Sequence, residues 1–361
     1  MRVVIAPDSF KGTISATDAA AAIAAGWLSV RPGDEVTVLP QADGGEGTLD
    51  AVAVAVPGAV RRSAGVVTGP DGRPVPGEWV QLPDGTAVVE LAQSCGLPLM
   101  RQPDPERATT VGLGQVIRAA LDAGAVRLVV GLGGSASTDA GAGVLSALGL
   151  RGDAPLDRGG AALAGLTHLD RSQLLAAPPL VILTDVDAPL AGPTGAAAVF
   201  GPQKGASPEQ VERLDSVVTH FAELLGGPTD LPGMGAAGGV GFALATWGGT
   251  LESGAAWISA LTGLRDHIAG ADLVLTGEGR FDATSLGGKL VGETIVACRR
   301  AGTEVGVIAG EVAVESATWT ASLTELAGSA DAARSDPARW LRVAGEEAAR
   351  RWRDAGGALG S

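Results

Sequence analysis

The order in which short apolar runs alternate with helical patterns constrains the fold of this 361-residue chain more than any other feature. Arg2–Ala6 reads as a buried strand that breaks at Pro7. Ser15-Ala16-Thr17-Asp18 then opens an Ala-rich helix to about Leu28, with Ser15 and Asp18 as a capping box that uses the shorter acid. Pro32-Gly33 turns into a second strand, Glu35–Leu39, and the loop Gln41–Gly47 leads into a helix near Thr48–Ala55. This alternation points to an α/β protein. After Pro57-Gly58 the pattern changes. Strands near Val60–Thr68, Glu78–Leu82 and Ala87–Leu91 are joined by Asp71-Gly72 and Asp84-Gly85, which are hairpin signals. Helix Val111–Ala123 and strands Val126–Gly131 and Leu180–Thr184 follow. The βα rhythm resumes near residue 255, with strands Asp272–Thr276 and Glu304–Ala309 around a helix Val291–Arg300. The predicted architecture is a discontinuous Rossmann-like parallel-sheet domain, 1–59 plus 256–361, into which a second α/β domain with a mixed sheet, 60–255, is inserted. In the tail, Pro337 is placed to start a helix. Its stripe Trp340, Ala344, Ala348 and Trp352 recurs every four residues and reads as packing.

Composition narrows the function. A hydrophobic fraction of 46% with mean hydropathy +0.26 describes a folded globular protein. The apolar run before Pro7 is too short to span a membrane. Cys95 and Cys298 fit no metal spacing and read as buried thiols of a cytoplasmic protein. His168, His220 and His267 are isolated, and no G-x-S-x-G elbow supports hydrolase chemistry. A net charge of −14 argues against nucleic acid. It also requires any anionic substrate to be met by local cations and helix N-termini, with Mg²⁺ as the natural complement.

Those local cations are scarce lysines. Of 26 basic residues only three are lysine, and Lys11, Lys204 and Lys289 all adjoin glycine. Glycine lets backbone approach a ligand, and lysine is a compact point charge suited to phosphate. The loops around them carry the other candidates. In Pro7-Asp8-Ser9-Phe10-Lys11, Asp8 is placed to hold Mg²⁺ or a hydroxyl, and Lys11 a carboxylate or phosphate. In Asp43-Gly44-Gly45-Glu46, Asp43 is a candidate metal ligand or general base, and Glu46 a first-turn acid favoured by the helix dipole. Gly131-Leu132-Gly133-Gly134-Ser135-Ala136 has the spacing of a dinucleotide fingerprint. No strand-terminal acid follows about 20 residues on, so a generic anion loop fits better. Asp185 ends another apolar strand as a base or Mg²⁺ ligand. Gly238 and Gly239, in a run that opens a helix, either cradle phosphate or allow close packing. Glu278, Arg280, Asp282 and Lys289 form a polar cluster. It is not a Walker A loop, because Ala283 and Leu290 stand where that motif needs Gly and Ser or Thr.

Taken in order, Ala6-Pro7-Asp8-Ser9-Phe10-Lys11-Gly12, Ala42-Asp43-Gly44-Gly45-Glu46-Gly47-Thr48, Gly133-Gly134-Ser135-Ala136, Phe200-Gly201-Pro202-Gln203-Lys204-Gly205-Ala206, Gly235–Gly241 and Thr276-Gly277-Glu278-Gly279-Arg280 resemble the bacterial glycerate kinase family, type I. The resemblance implies two α/β domains with the active site in the cleft between them. It implies a transferase that uses ATP to phosphorylate D-glycerate to 2-phosphoglycerate, with Mg²⁺. The expected partners are those two small molecules, without nucleic acid or membrane, in a cytoplasmic monomer or homodimer. In that frame Asp185 accepts the hydroxyl proton, with Asp43 the competing choice. Asp8, Asp43 and Asp185 are the carboxylates for the metal. Lys11, Lys204 or Lys289 stabilises the migrating phosphoryl group, and Arg280 or a lysine holds the substrate carboxylate. Two stretches depart from the family. Ser137-Thr138-Asp139-Ala140-Gly141 stands where Thr-Asn-Asp-Gly-Gly is usual, and Asp185-Val186-Asp187-Ala188-Pro189-Leu190 where Asp-Val-Thr-Asn-Pro-Leu is usual. An oxidoreductase would bind NAD(P)H, and a metabolite sensor would bind without turnover. The missing ribose acid and the several loop carboxylates weigh against those two readings.

Overall fold

The computed structural model describes residues 1–286, 290–314 and 316–357. The chain divides into two compact units. One comprises Met1–Asp43, Asp50–Val56 and Ala255–Ser361, and is called here the terminal unit; the other, Gly44–Leu49 and Pro57–Gly254, is the middle unit.

The terminal unit is built on a five-stranded parallel sheet in the order Trp319–Ser322, Glu304–Val312, Leu273–Phe281, Arg2–Ile5, Glu35–Val38. Its inner strands are continuous apolar runs because helices cover both faces; Val3, Val4, Ile5, Leu273, Val274 and Leu275 are all buried. The helix Ala16–Val30 begins as the capping box predicts, with Ser15 Oγ accepting the Asp18 N–H at 3.1 Å. It buries Ala19, Ala20, Ile23 and Trp27 and packs on the long helix Pro337–Gly357. Two glycines set how close those helices come. A Cβ on Gly26 would stand 2.0 Å from Arg342 O, and one on Gly345 would stand 2.3 Å from Ile23 O. The four-residue stripe of the tail is packing, as expected. Ala344 and Ala348 are fully buried, and Trp352 meets Trp319 edge to face at 6.0 Å.

One sequence expectation fails here. The strand expected to stop at Thr276 runs on to Phe281, so Gly277-Glu278-Gly279-Arg280 is strand rather than loop. The cause is its neighbour. Glu304–Val312 also extends past its expected end at Ala309, and the two keep pairing, Glu278 with Ala309 and Arg280 with Glu311.

The middle unit holds a six-stranded mixed sheet in the order Thr250–Glu252, Leu180–Leu183, Arg127–Gly131, Thr86–Glu90, Pro74–Gln81, Val60–Thr68. The last two strands run antiparallel through the turns at Gly72 and Gly85, both at positive φ, as the Asp-Gly dipeptides predict. The other four strands are parallel, so their carboxyl ends lie at one edge. That edge carries Glu90, Gly131 and, two residues past Leu183, Asp185. A single apolar cluster from Val67 to Trp247 fills this unit. Cys95 and Cys298 are buried free thiols, each pushed up to about 12 by burial, which leaves them inert. No helix among the described residues is long and apolar enough to cross a membrane.

Candidate functional site

Within the terminal unit a cavity of about 460 Å³ opens beyond the carboxyl ends of its strands, and every residue lining it belongs to that unit. This is where open α/β sheets bind ligands. Asp8, Ser9 and Lys11 reach it from the loop after Arg2–Ile5, Asp43 from the loop after Glu35–Val38, and Glu278 and Arg280 from the extended strand. Asp8 is 8% exposed, and its carboxyl is pushed up to about 7. Burial is the main cause, followed by repulsion from Asp43. Lys11 and the Ser9 N–H, which donates to Asp8 Oδ1 at 2.6 Å, act in the other direction. Lys11 Nζ stands 3.6 Å from Asp43 Oδ2, and that carboxylate above all raises its affinity for its proton. Ser9 Oγ is buried with no hydrogen-bond partner among the described residues. Arg280 is flanked by Asp282 and Glu311, each at 3.3 Å.

The cavity also has an apolar wall, formed by Leu290, Val291, Leu323 and Ala333; Arg334, which also lines it, is ion-paired to Asp331 at 2.6 Å. Sequence reasoning missed this wall. Its only signal was ordinary helix-forming composition, with no glycine or carboxylate motif to mark it. Lys289 lies outside the described residues.

The remaining candidates gather in the middle unit. Gly44 and Gly45 lie directly on the end of the strand Arg127–Gly131. A Cβ on Gly131 would stand 2.4 Å from Gly44 O, and one on Gly133 would stand 2.4 Å from Gly45 Cα. The density of glycines in these loops is therefore close backbone packing, closed by a Gly133 N–H to Gly44 O bond of 3.2 Å. Glu46 is exposed. Glu90, buried at the end of its strand, accepts the N–H groups of Gly47 at 3.3 Å and Leu49 at 3.0 Å and so fixes that loop. It went unnoticed in the sequence, although a lone acid ending the run Thr86-Ala87-Val88-Val89 was a readable signal. Asp185 is exposed and accepts the Gly254 N–H at 3.1 Å.

Ser135 is 9% exposed and pairs with Lys204. Lys204 is 2% exposed, and its ammonium donates to Ser135 Oγ at 2.9 Å and to Ser137 O at 2.5 Å. Burial pulls that ammonium down to about 7, and Asp139 offsets part of the effect. Asp139 is itself fully buried and raised by burial, although it accepts from Thr110 N, Thr110 Oγ1, Gly141 N and Gly143 N. The helix expected to follow Gly235 starts at Ala236, but its backbone is left-handed at Ala237, Gly238 and Gly239. Gly238 lies against the same turn, where a Cβ would stand 2.1 Å from Ser137 O.

One departure from the family pattern now has a physical meaning. Ala140 occupies the left-handed region at φ 51, a conformation that costs an L-residue about 1–2 kcal/mol. Ala140→Gly relieves that strain but gives up a fully buried methyl and loosens the unfolded chain, so the net change in unfolding stability should stay within about 1 kcal/mol, read from urea midpoints at an unchanged m value.

The sequence profile of the Glycerate kinase family matches residues 3–353. The chain belongs to that family. Glycerate kinase of Bacillus subtilis (strain 168) is 45% identical over 305 residues, covering 80% of this chain and 79% of the relative. Glycerate 2-kinase of Escherichia coli (strain K12) is 40% identical over 306 residues, covering 80% of each. A crystal structure described as a candidate glycerate kinase 2 from Salmonella typhimurium LT2 superposes with a TM-score of 0.81 at 36% identity, over 99% of both chains. Membership of the glycerate kinase family bears out the resemblance carried by the loops. It also bears out the expected α/β architecture with one parallel and one mixed sheet, and the enzyme class, a kinase.

Proposed function

We propose that this chain phosphorylates the C2 hydroxyl of D-glycerate with ATP, assisted by Mg²⁺, to give 2-phosphoglycerate and ADP. The observation that carries the reading is the cluster of Asp8, Asp43 and Lys11 in the strand-end cavity of a glycerate kinase family member. It sets two mutually repelling carboxylates beside an ammonium, in a setting where one carboxylate is already partly dehydrated. The name of the Escherichia coli relative supports the position of the new phosphate ester.

Among the described residues no three His, Cys, Asp or Glu side chains are grouped to cage a metal. Two carboxylates suit Mg²⁺, which takes most of its remaining ligands from water and phosphate. Asp8 and Asp43 would hold the ion, and it would neutralise phosphate oxygens as a Lewis acid. A cation there would offset the Asp43 repulsion that adds to burial in raising Asp8. Lys11 holds phosphate charge. Asp185 takes the hydroxyl proton as the glycerate oxygen bonds to the γ-phosphorus and the bond to the β,γ-bridging oxygen breaks. Arg280 holds the substrate carboxylate. The glycines of the middle unit present backbone N–H groups, so the protein positions reactants and neutralises charge rather than forming bonds to them.

A coupled ADP-release assay over D-glycerate, hydroxypyruvate and related hydroxy acids tests the reading. ADP release is expected only with D-glycerate and Mg²⁺ present. The ³¹P signal of the product should be a doublet, from the single proton on C2. A triplet would place the phosphate on C3. Absence of glycerate-dependent turnover would remove the kinase reading, and an NAD(P)H titration would then separate the oxidoreductase from the sensor.

A further inference from the structure

Lysine is almost never fully buried unless it is paired, yet Lys204 is 2% exposed and, among the described residues, its ammonium bonds to a hydroxyl and a carbonyl rather than to a carboxylate. It closes the short 3₁₀ turn Pro202–Lys204, which ends at Gly205 with φ +90. Its ammonium is used on two oxygens of one irregular stretch, Ser135 Oγ and Ser137 O. The backbone of that stretch is tied at its start, where Gly96 and Ser135 form an antiparallel bridge, Gly134 O accepts the Leu97 N–H at 2.9 Å and Ala136 N–H donates to Cys95 O at 3.0 Å; beyond Ala136, Gly238 presses on Ser137. Ser137 Oγ and Thr138 Oγ1 are buried with no hydrogen-bond partner among the described residues. Asp139 is the charged group that bears on Lys204, but its oxygens are taken up by Thr110, Gly141 and Gly143. Removing an ammonium from water is expensive, and an apolar side chain of the same length would fill the space more cheaply. The lysine's distinctive contribution is therefore to fix the turn that carries Ser135.

We propose that Lys204 is a positioning residue: it holds the 133–138 turn in one arrangement so that Ser135 and the adjoining glycine backbone meet the anionic substrate pre-set. This rests on the kinase reading above. It differs from the sequence expectation that Lys204 itself meets phosphate, because here the ammonium acts through the turn.

Lys204→Met keeps the stem and removes the ammonium. In the full chain, kcat for D-glycerate should fall about tenfold, less than the hundredfold that a full 1 Å misplacement costs, while KM for D-glycerate and ATP stays within about threefold. In the ligand-free protein, amide hydrogen exchange over 133–138 should speed up about tenfold, with protection elsewhere in the middle unit unchanged. Unchanged exchange would overturn the proposal. So would a large rise in KM without a change in exchange, because Lys204 would then contact the ligand directly. Ser135→Ala removes one of the two acceptors and should move both readouts the same way, by about threefold. If the methionine variant does not fold, wild-type exchange and kcat in Ser135→Ala overturn the proposal on their own. The exchange readout needs no turnover, so it stands even if wild-type protein shows no glycerate-dependent ADP release. That result would fall on the kinase reading alone.

Discussion

Asp8→Asn is expected to stabilise the metal-free protein near pH 7.5 while removing most of its activity. The ordinary carboxyl value is 3.8, and burial with repulsion from Asp43 raises Asp8 to about 7. Between those values the native state binds the proton more tightly than the unfolded chain, so stability falls as pH rises through this window. The cost is complete above about 7 and absent below about 4. A gap of about three units corresponds to at most about 4 kcal/mol, at 1.36 kcal/mol per unit. Asparagine keeps the acceptor for the Ser9 N–H and carries no charge to dehydrate. Urea unfolding in metal-free buffer should show the gain at pH 7.5, shrinking steadily toward pH 4. Activity should fall at least about a hundredfold, since a Lewis-acid cation supplies several kcal/mol of transition-state stabilisation and Asp8 would be one of its ligands. A variant that is less stable at pH 7.5, or that turns over normally, would show that Asp8 is not held under strain for function.

The legible parts of this chain were those whose physics is local. The strand Val60–Thr68 and the helix Thr48–Ala55 end at the residues the sequence marks. A hairpin dipeptide, a capping box and an apolar run each decide their own few residues. What stayed hidden depended on partners distant in sequence. The strand Leu273–Phe281 runs past Thr276 because residues 304–312 lie alongside it, and no property of Gly277-Glu278-Gly279-Arg280 announces that. Glycine density did flag the loops at 44–47 and 131–134. It could not say that the glycines there also pack against one another's backbone. Lysine scarcity pointed to Lys11 and Lys204 alike, yet one is exposed beside Asp43 and the other is spent on its own chain. The same residue type beside glycine serves both ends, and burial alone separates them. Asp8, Ser9, Lys11, Asp43, Glu278 and Arg280 were singled out from three separate loops and do line one cavity. The apolar wall of that cavity carried no motif.

Asp185→Asn should lower kcat by about 10²- to 10⁴-fold, the range associated with a positioned general base. Asp185 sits two residues beyond the strand Leu180–Leu183, the place at which parallel sheets present catalytic groups. That strand is also where the glycine loop comes in, since a Cβ on Gly44 would stand 3.0 Å from Leu183 Cβ. Asparagine is nearly isosteric and can still accept the Gly254 N–H, so the loop should keep its shape. The side chain is exposed, and an exposed substitution of this kind shifts stability by no more than about 0.5 kcal/mol. The thermal midpoint is therefore a control: it should not move while turnover collapses. KM for D-glycerate should change little, because the proton leaves only as the new P–O bond forms, and an interaction made only in the transition state appears in kcat. The matching Asp43→Asn variant separates the two carboxylates. It should weaken the response to Mg²⁺ concentration, which Asp185→Asn should leave intact. Near-normal turnover in Asp185→Asn, with a collapse confined to Asp43→Asn, would move the base to Asp43 and leave Asp185 as a loop residue bonded to Gly254.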